Sequence, residues 1–152
     1  MINLDFSNLK IKDIDCVIKY TAEEKNFTVR NRNNNIVGIH LSGSAVHYFK
    51  SQKFTIGEGC IYFLNQKDDY KVQVFEKGIA FSVHFTTYEQ IDTESFCIKT
   101  AKANEIVRLL NIIEKEYLSK DNNLGLMSDL YNLCSELNKI YKNTCFFETA
   151  ML

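Results

Sequence analysis

The sequence IVGIHLSGSAVHYFK, residues 36–50, contains two short runs of apolar or alternating residues, separated by the turn Ser42-Gly43-Ser44. Glycine at the centre of this turn permits a tight reversal of the chain. Short runs of this kind are typical of β-strands, and strands that are joined by so short a turn are antiparallel. This stretch therefore predicts one strand over 36–41 and a second over 44–50.

Similar runs fill the chain from about residue 14 to residue 100, and the breaks between them are rich in Asn and Gly. None of these breaks is long enough for a helical crossover, so the sheets are expected to be antiparallel. Many short strands at this spacing predict a sandwich or a barrel. The remaining predicted strands cover residues 14–20, 27–31, 60–64, 70–76, 79–87 and 95–99.

After residue 100 the apolar spacing becomes helical, which predicts helices over 101–118 and 126–141. The turn-rich link between them predicts an antiparallel hairpin. The second helix carries an apolar seam with alternating steps of four and three residues. Its members are Leu126, Leu130, Leu133, Leu137 and Ile140. The tail 143–152 shows no pattern and is expected to be irregular.

The 152 residues suit one compact core, which we expect to comprise a barrel over 1–100 and a hairpin over 101–142. Because 18 basic residues balance 19 acidic ones, no basic patch points to nucleic acid or to an anionic membrane surface. The chain shows neither a signal peptide nor an apolar run of about 18 residues, so a cytoplasmic protein that does not enter the membrane is expected.

Five cysteines without a Cys-x-x-Cys pair are expected to be reduced and mostly buried thiols. The sequence also lacks the short motifs of hydrolases, phosphate-binding loops and zinc proteases. We therefore expect no enzymatic activity, no catalytic residue, no metal and no cofactor.

Three segments resemble the amino-terminal cupin domain of AraC/XylS-type transcription regulators. They are Ile39-His-Leu-Ser-Gly43, Phe54-Thr-Ile-Gly-Glu-Gly59 leading into Cys60-Ile-Tyr-Phe-Leu64, and Phe81-Ser-Val-His-Phe85. The resemblance implies a cupin-like double-stranded β-barrel, or jelly roll, followed by a helical hairpin. It also implies a bacterial regulator whose hairpin forms a homodimer.

Cupins commonly bind a metal through three histidines and a glutamate in two short motifs. Anchoring those motifs on Gly43 and Gly59 places Arg30, Arg32, Ile36 and Tyr70 at the four ligand positions. Since arginine cannot give up its proton to a metal, the resemblance is to members that bind organic ligands without metal.

The guanidinium groups of Arg30 and Arg32 are candidates for holding a carboxylate, a phosphate or a sugar hydroxyl. Strand alternation would place both on one face, whereas flanking a turn would point them to solvent. His40 is in phase with Ile36 and Gly38 and is expected to face the interior, as a ligand contact or as a core residue.

Three further residues complete the candidate ligand site. Tyr70 could offer its phenol to a pocket or lie on an amphipathic strand, and His84 belongs to the matching His-Phe run. Tyr62 lies in the aromatic strand over 60–64. His47, by contrast, is expected at the surface.

These observations predict a sensor module in which a small-molecule effector binds in the barrel. The leucine seam of the second helix would form the homodimer, or would instead pack within the chain. Contact with DNA is expected only through a carboxyl-terminal helix-turn-helix domain that this chain does not contain. The competing interpretations are a metal-dependent cupin enzyme and a stand-alone cupin that binds a small molecule.

Overall fold

The computed structural model describes residues 8–23 and 25–151. Strands make up the first two thirds of this part of the chain, and helices make up the rest. The strands are β1 (Ile11–Ala22), β2 (Asn26–Val29), β3 (Asn35–His40), β4 (Ser44–Tyr48), β5 (Lys53–Ile56), β6 (Cys60–Leu64), β7 (Tyr70–Glu76), β8 (Gly78–Thr87) and β9 (Phe96–Lys99). The helices are α1 (Ala103–Ser119) and α2 (Asn123–Met151).

The strands form two sheets that pack face to face. One has the order β1-β8-β3-β6-β9 and the other has the order β2-β7-β4-β5. Neighbouring strands in both sheets are antiparallel, and consecutive strands often lie in different sheets. The predicted mainly β fold, a jelly-roll-like double sheet followed by a helical hairpin, is confirmed.

The central strands of the five-stranded sheet, β3, β6 and β8, are buried on both faces, and their period of two divides the side chains between those faces. In β3, Val37 and Ile39 pack towards the helices, whereas Ile36 and His40 face the other sheet. The same division holds in the two strands that flank β3. Residues towards the helices are Ile61, Phe63, Phe81, Val83 and Phe85, and those towards the other sheet include Tyr62, Leu64, Ser82 and His84.

The leucine seam of α2 is buried inside the chain itself. Its exposed fractions are 8% at Leu126, 0% at Leu130 and Leu133, 1% at Leu137 and 7% at Ile140. These side chains form one cluster with the apolar face of α1 and with the outward face of the five-stranded sheet. The prediction that this seam forms a subunit interface is therefore wrong, because intramolecular packing already removes it from water.

Two further predictions differ from the structure. Strand β5 (Lys53–Ile56) was not predicted, because four residues offer only two alternations from which to recognise it. Helix α2 continues to Met151, so the expected irregular tail is wrong over 143–151, and residue 152 lies outside the described part. No proline or glycine follows Gly125, so nothing in the sequence forces the helix to end earlier.

The division into a barrel over 1–100 and a hairpin over 101–142 stays a prediction, and residues 1–7 of the first part lie outside the described chain. One apolar cluster joins the hairpin to the sheet. None of the helices in the part that the structure describes is long and apolar enough to cross a membrane.

Replacing Leu133 by alanine should destabilise the protein rather than separate two subunits. The side chain is fully buried, so the lost contacts and the resulting cavity should lower the free energy of unfolding by about 2–5 kcal/mol. Denaturant unfolding followed by circular dichroism measures this loss. Leu124→Ala is the matched control on the same helix, because Leu124 is 84% exposed and its loss should change stability by less than about 0.5 kcal/mol. Unchanged stability of Leu133→Ala, together with a shift from dimer to monomer, would contradict the assignment of this residue to the core.

Candidate functional site

A cavity of about 330 Å³ lies between the two sheets. Its volume is close to the lower end of the range for small-molecule sites, roughly 300–1,000 Å³. Most of its wall is aliphatic or aromatic, with a few polar groups among the apolar ones. The aliphatic side chains are Ile18, Ala22, Val29, Ile36, Ala45, Leu64, Val72 and Val74.

The cavity opens to solvent between the neighbouring edges of the two sheets. Ile18 and Tyr20 of β1 and Phe27 of β2 line it, and β1 and β2 are edge strands. These three side chains are nevertheless 40%, 44% and 39% exposed. An apolar rim of this kind would let an apolar molecule enter without crossing a polar barrier.

Arg32 brings a positive charge to the cavity wall. Its Nη1 donates to the backbone carbonyl of Asn34 at 2.9 Å and its Nη2 to that of Asn65 at 2.6 Å, while its Nε is buried without a partner. The guanidinium lies over the ring of Tyr70, 5.3 Å from the ring centre. Burial lowers the pKa of Arg32, but the guanidinium remains charged at neutral pH. Neutral groups thus hold the cation, and the carboxylates of Asp68 and Asp69 act on it without forming a salt bridge with it in the described part of the chain.

The acceptor at Asn65 is itself held rigidly by the loop before β9. The side-chain amide of Asn65 donates to the carbonyls of Ile91 at 2.6 Å and Thr93 at 2.8 Å. The Asn65 N–H donates to the hydroxyl of Ser95 at 2.9 Å. Because Asn65 is fully buried and its amide hydrogens are used, its carbonyl presents a fixed anchor for Arg32.

Arg30 does not share this environment. It is exposed, and it lies on the outer surface near Tyr48 and Lys50 rather than in the cavity. Strand β2 ends at Val29, and Asn31 has a positive φ of 50°, so the alternation that would align Arg30 with Arg32 is broken between them. The expectation that both arginines share one face is wrong.

His40 and Tyr62 lie in the cavity, as strand alternation predicts. His40 is 6% exposed, its Nδ1 has no hydrogen-bond partner, and its ring meets that of Tyr62 edge to face with centres 5.9 Å apart. Space for the Tyr62 ring depends on Gly38, which is opposite Tyr62 in the sheet. A Cβ atom at Gly38 would lie 2.7 Å from the Tyr62 hydroxyl and 2.8 Å from Cβ of Ser82.

His47 is a cavity residue that the sequence interpretation missed. It is 7% exposed, not at the surface, and its ring stacks on Tyr70 with centres 5.1 Å apart and on Phe54 at 5.7 Å. Its Nδ1 also lacks a partner. The period of two that places Ala45 inward also places His47 inward, so the alternation of β4 could have predicted its burial. The sequence interpretation instead grouped His47 with its exposed neighbour Tyr48.

Tyr70 and His84 also line the cavity, so five of the six candidate ligand residues are cavity residues. His84 Nε2 lies 3.2 Å from the hydroxyl oxygen of Ser82. His84 pairs with Ile36 of the neighbouring strand β3. Burial raises the pKa of Tyr70 to about 12, so its phenol is neutral and can donate a hydrogen bond.

The histidines of the cavity are uncharged at neutral pH. Burial lowers the pKa of His40 to about 4. Burial, with smaller contributions from His40 and Arg32, lowers the pKa of His47 to about 3. Burial and Arg32 also lower the pKa of His84. Arg32 is the only cation among the described residues that line the cavity, and none of those residues is a carboxylate.

The side chains at the four positions that match the cupin metal ligands, Arg30, Arg32, Ile36 and Tyr70, do not form a metal site. Within residues 8–23 and 25–151, no group of three or more His, Cys, Asp or Glu side chains is placed to hold a metal ion. His40 and His47 alone fall short of the three or four ligands that such a site needs. Four described cysteines, Cys16, Cys60, Cys97 and Cys134, are free thiols, and the side chain of Cys145 lies outside the description.

Comparison with known proteins identifies the fold. No family model matches the chain, and no curated protein sequence matches it. Among solved structures, ToxT from Vibrio cholerae with bound unsaturated fatty acid is similar over 88% of this chain and 57% of its own, with a TM-score of 0.60 and 11% identity. The AraC-like transcriptional activator CuxR is similar over 82% of this chain and 49% of its own, with a TM-score of 0.56 and 11% identity.

The class that these likenesses define is a fold shared with AraC-like transcription regulators. At 11% identity they show the fold alone, and they transfer no residue role. The chain spans about half the length of these structures.

The buried neutral histidines should make the protein acid-sensitive. Below about pH 6.5 the unfolded chain binds protons at His40 and His47 that the folded chain does not bind, so the free energy of unfolding falls as the pH falls towards about 4. Each histidine should cost roughly 2 kcal/mol of stability by about pH 5. Unfolding midpoints measured from pH 8 to pH 5 should decline in the wild type and decline less in His40→Phe and His47→Phe. Equal slopes in all three proteins would contradict the neutral burial of these rings.

Proposed function

We propose that this chain is the effector-binding part of an AraC-type transcription regulator, a binding module and not an enzyme, and that its effector is a small organic acid with an apolar body. Metal takes no part in this binding. The observation that carries the proposal is Arg32, a cation in the wall of an apolar cavity that forms no salt bridge in the described part of the chain.

A carboxylate is the group that would best complement Arg32. Holding a charged group away from water is costly unless a counter-charge compensates it. None of the salt bridges found in the described part of the chain involves Arg32. A guanidinium has five N–H donors, and the unpartnered Nε leaves at least one for a ligand oxygen. The aliphatic walls would bury the rest of the molecule.

The known ligands of a structural neighbour have the same chemistry. ToxT has been solved with an unsaturated fatty acid and with (E)-4-(8-methylnaphthalen-1-yl)but-3-enoic acid, each an acid with a large apolar part. The present cavity shares this chemical character through its own residues, Arg32 and the aliphatic wall, so an acid of this class is our proposal for this chain too.

The sheet between the cavity and the hairpin offers a route for the signal. Ile36 and His40 face the cavity, while Val37 and Ile39 of the same strand contact the helical cluster. A ligand that favours one backbone position of β3 would therefore favour one position of the hairpin, to the extent of its differential affinity. DNA contact would come from a part of the regulator other than this chain.

Homodimerisation through the hairpin stays a prediction, and the buried leucine seam cannot provide its surface. Among the hairpin side chains that the structure describes, the two most exposed large apolar ones lie at its tip. Leu118 at the end of α1 is 68% exposed and Leu124 at the start of α2 is 84% exposed. A dimer that used the hairpin would have to form through residues such as these.

Arg32→Met should weaken the binding of decanoate by roughly tenfold to a hundredfold, because the charged hydrogen bond is lost while the apolar stem remains. Isothermal titration calorimetry measures this change directly. Arg30→Met is the matched control, since it removes the same charge two positions away at an exposed site and should leave the affinity within about twofold. Equal losses in both variants would indicate a general charge effect, and undiminished binding in Arg32→Met would refute the role of this guanidinium.

A further inference from the structure

The cavity contains polar atoms that an acid bound at Arg32 would leave unused. His40 Nδ1 and His47 Nδ1 are buried without a hydrogen-bond partner, and both side chains are more than nine-tenths buried, at 6% and 7% exposure. A buried polar atom without a partner costs about 1–3 kcal/mol relative to one that is satisfied. A ligand group that pairs with such an atom would recover part of this cost.

A series of aromatic contacts connects Arg32 to His40 along the cavity. The guanidinium lies 5.3 Å from the ring centre of Tyr70, which is 5.1 Å from that of His47. The His47 ring is 6.4 Å from Tyr62, and Tyr62 is 5.9 Å from His40. These contacts link Arg32 to His40 through three intervening rings.

The course of β3 gives the distance between the two groups. Arg32 donates to the carbonyl of Asn34, which directly precedes β3, so its guanidinium lies at the Ile36 end of that strand. His40 lies four residues further along β3 than Ile36. At about 3.3 Å per residue, this places His40 roughly 13 Å from the Arg32 end. A molecule of moderate length could reach both ends with an apolar middle against Ala45, Val72 and Val74.

The chemistry at the His40 end differs from that at Arg32. Apart from Arg32, none of the described residues that line the cavity is a cation, and burial of the His40 imidazole keeps it neutral. A neutral imidazole nitrogen exchanges a hydrogen bond with a hydroxyl or a carbonyl group, whereas a second carboxylate there would be desolvated without a counter-charge. The far end therefore favours an uncharged oxygen.

We propose that the ligand has polar groups at both ends, a carboxylate at Arg32 and an uncharged oxygen substituent that hydrogen-bonds His40 Nδ1. The ligand class is that of ω-oxygenated carboxylic acids, such as ω-hydroxy and ω-oxo acids, rather than simple alkanoic acids. This inference rests on the proposed function, because it assumes an acid at Arg32.

The test compares matched pairs of acids that differ only in a terminal hydroxyl, namely octanoate, decanoate and dodecanoate with their ω-hydroxy counterparts. Calorimetric titration of the full chain should show, for the pair whose length fits, tighter binding of the hydroxy acid by about tenfold. In His40→Phe, which keeps a ring but removes both nitrogens, this preference should disappear. In His40→Gln, whose amide can still hydrogen-bond, part of the preference should return, which keeps the test informative if the phenylalanine variant folds poorly.

Arg32→Met separates this inference from the proposed function. It should weaken both members of a pair by a similar factor and leave their ratio unchanged, because it acts at the opposite end of the ligand. Equal binding of both members of every pair by the wild type would overturn the second polar contact while the proposed acid site stands. A preference that persists in His40→Phe would overturn the assignment to His40. Failure of every acid to bind would overturn both proposals.

Discussion

The structure depends on one constraint, which is that the centre of the five-stranded sheet is buried on both faces. Because successive side chains of a strand point in opposite directions, β3, β6 and β8 must satisfy two different surroundings with alternate residues. Val37 and Ile39 belong to the tightly packed cluster beneath the helices, whereas Ile36 and His40 belong to the space between the sheets. A shift of one residue in register would exchange these sets, moving the polar groups into the helical core.

The second consequence of this arrangement is that the two faces are filled differently. Beneath the helices, large side chains such as Phe63, Phe81 and Phe85 are fully buried. Towards the other sheet, the positions opposite one another include the small residues Gly38 and Ser82. Small side chains at these positions help to leave room for the cavity between the sheets. The site is thus a property of residue size at alternate positions as much as of chemistry.

The polar groups of the cavity are held in a state that water would not favour. Arg32 is charged but is anchored only by backbone carbonyls, while His40 and His47 are neutral because their surroundings cannot solvate the imidazolium ion. Such groups cost stability in the folded protein, and their persistence in one cavity fits a site that is completed by a ligand. In the hairpin, by contrast, the buried apolar residues of both helices pack against each other and against the sheet.

Local patterns predicted eight of the nine strands in the described part of the chain, both helices, the antiparallel pairing and the inward position of His40. Residue alternation and helical spacing report which face of an element is apolar. Those patterns say nothing of what covers each face. The leucine seam of α2 could have met a second subunit, and only its packing against α1 and the sheet settled that it does not. Likewise, a single backbone turn with a positive φ at Asn31 separates Arg30 from Arg32. The ring stack that buries His47 arises from contact with Tyr70, which is distant in the sequence. Periodicity in a sequence determines which face of a strand or helix is apolar. Which residues pack against that face is decided only when the whole chain folds.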